Sequence, residues 1–328
     1  MSQVLVTGGA GYIGSHAVLA LLEAGHEPIV LDNLVCGHRE PIESLGVQVV
    51  VGETGDMPLL SKLFGQADIR AVMHFAGFAY VGESVQNPGK YYRNNVAATI
   101  SLLDSMIKAD IRQFIFSSSC ATYGVPDAFP IDENTEQRPI NPYGQSKLMV
   151  ERILRDFDDA HGLRSVVFRY FNAAGADPGG RVGECHEPET HLIPLTLRAA
   201  LDEDSPLTVF GDDYETPDGS CLRDYVHVSD LAEAHVLGLR YLEAGGRSEV
   251  FNLGSGRGSS VFEVIDAARS VTGCAIPIRI APRRAGDPPV LYASADKAKR
   301  VLDWKPRYED VKAMIAHAWN WERRDAAA

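Results

Sequence analysis

The chain has 328 residues, 45% of them hydrophobic and 23% charged, an ordinary globular balance that supports one large domain or two of usual size. With 31 basic against 44 acidic residues the formal net charge is −13, which excludes a general affinity for nucleic acid or anionic membrane. Cys36, Cys120, Cys185, Cys221 and Cys274 make no CxxC pair, and no apolar run approaches a membrane span, so neither a zinc site, a disulfide framework nor a membrane span is expected.

The opening MSQVLVTGG enters an apolar strand directly, without the charged and apolar regions of a secretory leader, and a reducing cytoplasm is the expected compartment. QVLVT (3–7) reads as that strand. TGGAGYIG (7–14) follows it and opens the helical SHAVLALLEAG (15–25). Gly8, Gly11 and Gly14 form G-x-x-G-x-x-G, a spacing variant of the dinucleotide fingerprint. Tight turn, close approach to a pyrophosphate and close helix packing each favour a residue without a side chain. The helix N-terminus offers unpaired N–H groups to the phosphates. EPIVLD (27–32) is the next strand, and its last residue, Asp32, is placed to accept hydrogen bonds from ribose hydroxyls and repel a 2′-phosphate. NAD is therefore favoured over NADP.

VQVVVG (47–52), AVMHFA (71–76) and QFIFSSS (113–119) read as further strands, with a long helix over 90–110. NPYGQSK (141–147) opens another helix, Asn141 being a favoured N-cap and Pro142 a favoured first residue. Tyr143 and Lys147 then share one face. A nearby cation favours phenolate and lowers a tyrosine pKa from about 10, which makes Tyr143 a candidate general base. SVVFRYFN (165–172) is the strand after it. Ser119 ends the 113–119 strand on the carboxyl edge of the sheet, where open α/β sheets bind ligands, and there it is placed to bond a substrate hydroxyl beside Tyr143.

After about residue 175 the texture changes. GADPGGRVGECHEPETH (175–191) reads as a long loop. RDYVHVSDLAEAHVLGLRYLE (223–243) reads as a strand and helix that rejoin the sheet, and EVFNLGSG (249–256) as one more strand. A helix over 260–273, a strand over 277–282 and helices near 296–303 and 309–323 complete the chain. The expected fold is α/β: a Rossmann-type doubly wound parallel sheet with a smaller C-terminal α/β substrate lobe. The expected division is an NAD-binding domain over 1–175, rejoined by about 224–255, and the smaller lobe over 176–328.

Glycine turn, acidic strand end, serine-rich strand end and Tyr-x-x-x-Lys occur in this order. That order resembles the extended, sugar-nucleotide branch of the short-chain dehydrogenase/reductase superfamily, and within it the UDP-glucose (UDP-galactose) 4-epimerases. The stretches TGGAGYIGSH, LDNL, HFAG, VGESV, NPYGQSKLMVE, RYFNAAGA, FGDDYETPDG, RDYVHVSDLA and RRAGD carry the likeness over nearly the whole chain. It implies an NAD enzyme that oxidises C4 of a UDP-hexose, lets the 4-ketose turn, and returns hydride to its other face. Tyr143 would be the base, Lys147 its assistant and Ser119 the proton shuttle.

By position, the resemblance puts Gly8, Gly11, Tyr12, Ile13 and Gly14 around NAD, with Asp32, Asn33 and Asp56, the last toward the adenine amine. Phe75, Ala76, Gly77, Asn94, Tyr143, Lys147 and Tyr170 complete that set. Ser119, Tyr143, Asn172, Leu192, Thr208, Phe210, Arg223, Arg284 and Asp287 would line the UDP-sugar site. Two guanidinium forks, Arg223 and Arg284, suit a diphosphate in an otherwise acidic protein. No metal is implied; a homodimer through helices of the cofactor domain is.

Several positions depart from the family pattern. Gln145 replaces a common lysine. Ala79 stands where some members carry a cofactor-contacting lysine. His191 replaces an asparagine, and Leu291 stands at a sugar-pocket position that is tyrosine or small elsewhere. Epimerisation of UDP-N-acetylglucosamine or of UDP-pentoses such as xylose/arabinose uses the same residues. A dehydratase would carry an acidic pair where Cys120 and Ala121 stand, and a non-catalytic NAD sensor commonly lacks the tyrosine or lysine kept here.

Overall fold

The computed structural model describes residues 3–202, 204–284 and 288–325. Its centre is a parallel seven-stranded sheet of β1 (Gln3–Thr7), β2 (Glu27–Asp32), β3 (Val49–Val51), β4 (Ile69–His74), β5 (Gln113–Ser117), β6 (Arg164–Arg169) and β7 (Glu249–Asn252). The strand order is β7-β6-β5-β4-β1-β2-β3. The order reverses direction between β1 and β4, the switch point at which such sheets bind ligands beyond their carboxyl ends.

Alternation along each strand builds two cores. Val4 and Val6 of β1, Ile115 of β5 and Val166 and Phe168 of β6 face one side; there they meet α1 (Tyr12–Glu23) and α6 (Val228–Glu243) through Val18, Leu21, Leu231 and Leu239. Leu5, Phe114, Phe116 and Val167 face the other, against α2 (Met57–Gln66), α3 (Thr99–Lys108) and α4 (Pro142–His161) through Leu60, Leu103, Met106 and Leu154. Strands buried on both faces explain the continuous apolar runs of the sequence.

A third core, around Leu197, Ile265 and Ile315, joins α5 (Leu192–Leu201), α7 (Val261–Thr272) and α8 (Val311–Asp325) to the parallel pair Leu207–Phe210 and Ile278–Ala281. Two expectations need correction. Tyr225–His227 does not rejoin the large sheet; it pairs with Asn172–Ala174 in a sheet of its own, and it is β7 that adds to β6. The helix expected over 90–110 is interrupted by a wide π turn over Tyr92–Ala98, a feature that marks functional sites more often than chance. The 175–191 segment holds no helix or strand.

Candidate functional site

The glycine turn is shaped by contacts that leave no room for side chains. Gly8 has φ +71°, and a Cβ there would lie 2.4 Å from the Ala76 nitrogen in the loop after β4. At Gly14 a Cβ would lie 2.1 Å from the Gly8 carbonyl oxygen. Gly11 differs, because its Cβ would approach the protein only to 3.4 Å. Its bare backbone therefore borders open space, the cradle that a bound pyrophosphate needs. Gly11 caps α1 with no side-chain hydrogen bond, and no acid lies in the first turn. Unclaimed by a capping side chain, the first-turn N–H groups suit an anion. The site fits a dinucleotide.

Asp32 holds this turn as well as its own strand end. Its carboxylate accepts the Ala10 N–H at 3.0 Å and the Leu34 N–H at 2.8 Å, and burial raises its pKa. Asn33 is bonded to Glu53 and the Val35 N–H. Exposed Asp56 caps α2, accepting the Leu59 N–H at 3.0 Å, which leaves its second oxygen available. Tyr12 is buried and donates to the Gly175 carbonyl at 2.6 Å; Ile13 and Asn94 are half-buried.

Opposite the glycine turn, α4 delivers the Tyr/Lys pair. Asn141 accepts the Gly144 N–H at 2.8 Å as the N-cap, and Pro142 begins the helix. Lys147 is buried, and its Nζ donates to the Ser117 carbonyl at 2.8 Å while lying 4.9 Å over the Phe116 ring. Burial lowers its pKa to about 8, against the pull of Glu151 one turn on. Tyr143 differs from expectation. Lys147 Nζ is 6.0 Å from its ring centroid, and burial pushes the phenol up, with a Ser119 hydrogen bond drawing it partly back. Desolvation sets the direction, and the lysine is turned away toward the strand end.

Ser119, buried, also accepts the Ala121 N–H at 3.1 Å, which fixes its hydroxyl. Tyr170 is bonded to Ser117 beneath it. A Cβ on Gly77 would stand 3.7 Å from Lys147 Nζ, so the Phe75–Gly77 loop closes the gap between glycine turn and lysine.

The positions implied for the sugar nucleotide form a second group. Asn172 donates to the Asp224 carbonyl at 2.9 Å, Arg223 to the Leu222 and Pro288 carbonyls at 2.9 Å each. Thr208 accepts from Arg279, and the Arg284 guanidinium lies 4.8 Å over the Phe210 ring. Leu192 opens α5, half-buried. Leu291 is paired with Arg223 and packs on the Cys120–Tyr123 cluster. Asp287 lies outside the described residues.

Sequence reasoning missed two supports. Asn95, in the π turn, takes the Phe78 N–H at 2.9 Å and donates to the Phe78 carbonyl and to Ser146 beside Lys147. Glu151 and Arg169 form a buried ion pair at 2.5 Å that also receives Ser118. Glu151 was legible as the i+4 neighbour of Lys147; Asn95 had only its place next to Asn94.

The model of the NAD dependent epimerase/dehydratase family matches residues 4–254. A UDP-glucose 4-epimerase of Halalkalibacterium halodurans is 51% identical over 320 residues, 98% of this chain and 95% of the relative. The crystal structure of a UDP-glucose 4-epimerase, 50% identical, superposes with a TM-score of 0.97 over 99% of this chain and 98% of the other. A UDP-glucose 4-epimerase from Brucella ovis in complex with NAD is 48% identical, with a TM-score of 0.94 over 98% of both chains.

Proposed function

The chain belongs to the NAD dependent epimerase/dehydratase family, and from that membership we infer that it interconverts UDP-glucose and UDP-galactose at C4 of the sugar. Bound NAD supplies a hydride acceptor and donor at its nicotinamide, and a ring charge that favours an anionic neighbour. The observation that carries the reading is the convergence of Ser119, Tyr143 and Lys147 at the carboxyl end of β5, facing the glycine turn.

Tyr143 takes the proton of the sugar 4-hydroxyl as C4 is oxidised. Its phenol is raised by burial, so it needs positive charge nearby to act as a base at neutral pH. Lys147, with a pKa of about 8, is still largely protonated at pH 7 and provides part of that charge. Ser119 bonds the phenol oxygen and relays the proton. When the 4-ketose has turned, Tyr143 gives the proton back and the opposite epimer forms, with no net redox change. Arg223 and Arg284 hold the diphosphate while the sugar turns, and Asp32 binds the adenosine ribose. Gly8–Gly14 cradles the pyrophosphate; Asn33, Asp56, Asn94 and Tyr170 border the same dinucleotide. Residues 1–175 with 224–255 form the NAD domain, and 176–328 supply most of the sugar-nucleotide lobe.

No helix among the described residues is long and apolar enough to cross a membrane; the cytoplasm is the proposed compartment. A homodimer through the 90–110 helical segment is the proposed assembly, and sedimentation as a monomer at micromolar concentration would contradict it.

Incubation of the purified protein with UDP-galactose, without added NAD, tests the activity. Chromatography is expected to resolve a mixture with UDP-glucose. No conversion even after NAD is supplied rejects it, and a 4-keto-6-deoxy product assigns a dehydratase instead. UDP-N-acetyl and UDP-pentose sugars in the same assay rank the substrates.

A further inference from the structure

The 175–191 loop carries a cluster that the C4 chemistry leaves unused. Glu184, His186, Glu189 and His191 each bring a ligand atom within 4.8 Å of the others. The Nδ1 atoms of both histidines address one Glu184 oxygen, His186 at 3.1 Å and His191 in a hydrogen bond. Their rings meet edge to face with centroids 5.4 Å apart, so the two nitrogens converge on a single region. His186 Nδ1 also lies 3.9 Å from Glu189 Oε1.

A second observation points to a ligand. The Glu189 side chain is 1% exposed, yet its Oε2 has no hydrogen-bond partner. A buried carboxylate oxygen is seldom left so, and an ion is one of the explanations. Glu189 is held in place by the Thr190 and His191 N–H groups, which bond its other oxygen at 2.6 and 2.8 Å.

Two imidazoles and two carboxylates are a donor set suited to zinc rather than to magnesium or calcium. In a tetrahedral zinc site the ligand atoms sit about 3.4 Å apart, so the cluster needs only a modest contraction. His191, the most exposed of the four at 45%, is the side chain free to make it.

We propose that Glu184, His186, Glu189 and His191 bind one divalent transition-metal ion of the zinc type as a structural site. The four ligands lie in one eight-residue stretch without helix or strand, so the ion fixes the loop itself. That loop touches the cofactor side of the molecule. His186 packs edge to face on Tyr12 at 6.1 Å, Cys185 is bonded through its carbonyl to His38, and Tyr80 donates to the Pro188 carbonyl at 3.2 Å. Trp321 of α8 donates to the Glu184 carbonyl at 2.9 Å, which anchors the other flank. On binding, the ion replaces the protons shared between the imidazoles and Glu184, and these pass to solvent.

Chelator-treated protein with its NAD retained is titrated calorimetrically with zinc chloride, and with cobalt chloride followed by visible absorption. The expected result is one zinc per chain and an intense tetrahedral cobalt spectrum. Affinity should be at least tenfold weaker in each of Glu189→Gln, His186→Asn and His191→Asn, and unchanged in His161→Gln on α4. Three cluster variants keep the test decisive if one of them fails to fold. Absence of stoichiometric binding by the parent, or equal binding by the parent and the folded variants, overturns the proposal.

Discussion

Tyr143 and Lys147 divide the burden of one proton. The lysine is pinned on Ser117 rather than on the phenol, so its contribution is a field acting over several ångströms. Tyr143→Phe is expected to lower kcat by at least a hundredfold, the range for loss of a general base, with UDP-sugar binding retained. Rapid-quench turnover and equilibrium binding separate the two. Lys147 must be protonated to help, and its pKa is about 8; kcat should therefore fall as pH rises through that value. Lys147→Met should be slower at pH 7 and should rise with pH instead, because only ionisation of the phenol then limits it. A pH–rate profile of the two proteins checks both signs. The spacing of this pair was readable in NPYGQSK, but the direction of the Tyr143 shift was not. It depends on how deeply the phenol is desolvated, and no local pattern carries that.

The turns and caps decide whether those side chains arrive. Gly14 is required because α1 passes within 2.1 Å, for a Cβ, of the Gly8 carbonyl. Gly14→Ala is expected to leave a folded chain that has lost most of its NAD, measured as cofactor released per chain on denaturation. Asn141→Ala removes the cap of α4 and should cost about 1 kcal/mol in urea unfolding. Its kcat should fall with it, since Tyr143 is the second residue of the helix. The glycine turn, Asp32 and the α4 cap were legible because each is a short signal with a local cause. The π turn and the pairing of Tyr225–His227 with Asn172–Ala174 were not. The first needs the packing of Asn95 on the Phe78 loop, and the second needs a partner more than fifty residues away.

The molecule as a whole buries neutral histidines. Burial lowers His16 and His235 to about 4, and His74 and His227 to about 3. Between pH 6.5 and those values the unfolded chain binds more protons than the folded one, so stability falls as pH falls. One such histidine costs about 2 kcal/mol between pH 7 and pH 5. Asp224, raised to about 6 by burial, works in the opposite direction and offsets part of this. Urea unfolding at the two pH values should show a loss larger than one histidine explains. The alternating sheet and the family were legible at this scale from repeated apolar runs and ordered motifs. The Glu184–His191 cluster was not, because its meaning lies in convergence rather than in spacing.

In the proposed reaction one carbon is oxidised and reduced again without release. UDP-galactose carrying deuterium at C4 tests this directly when it is converted in ordinary water and the UDP-glucose is examined by NMR. The deuterium is expected to remain at C4 of the product. Its replacement by solvent hydrogen, or its appearance elsewhere on the sugar, would contradict the proposed reaction.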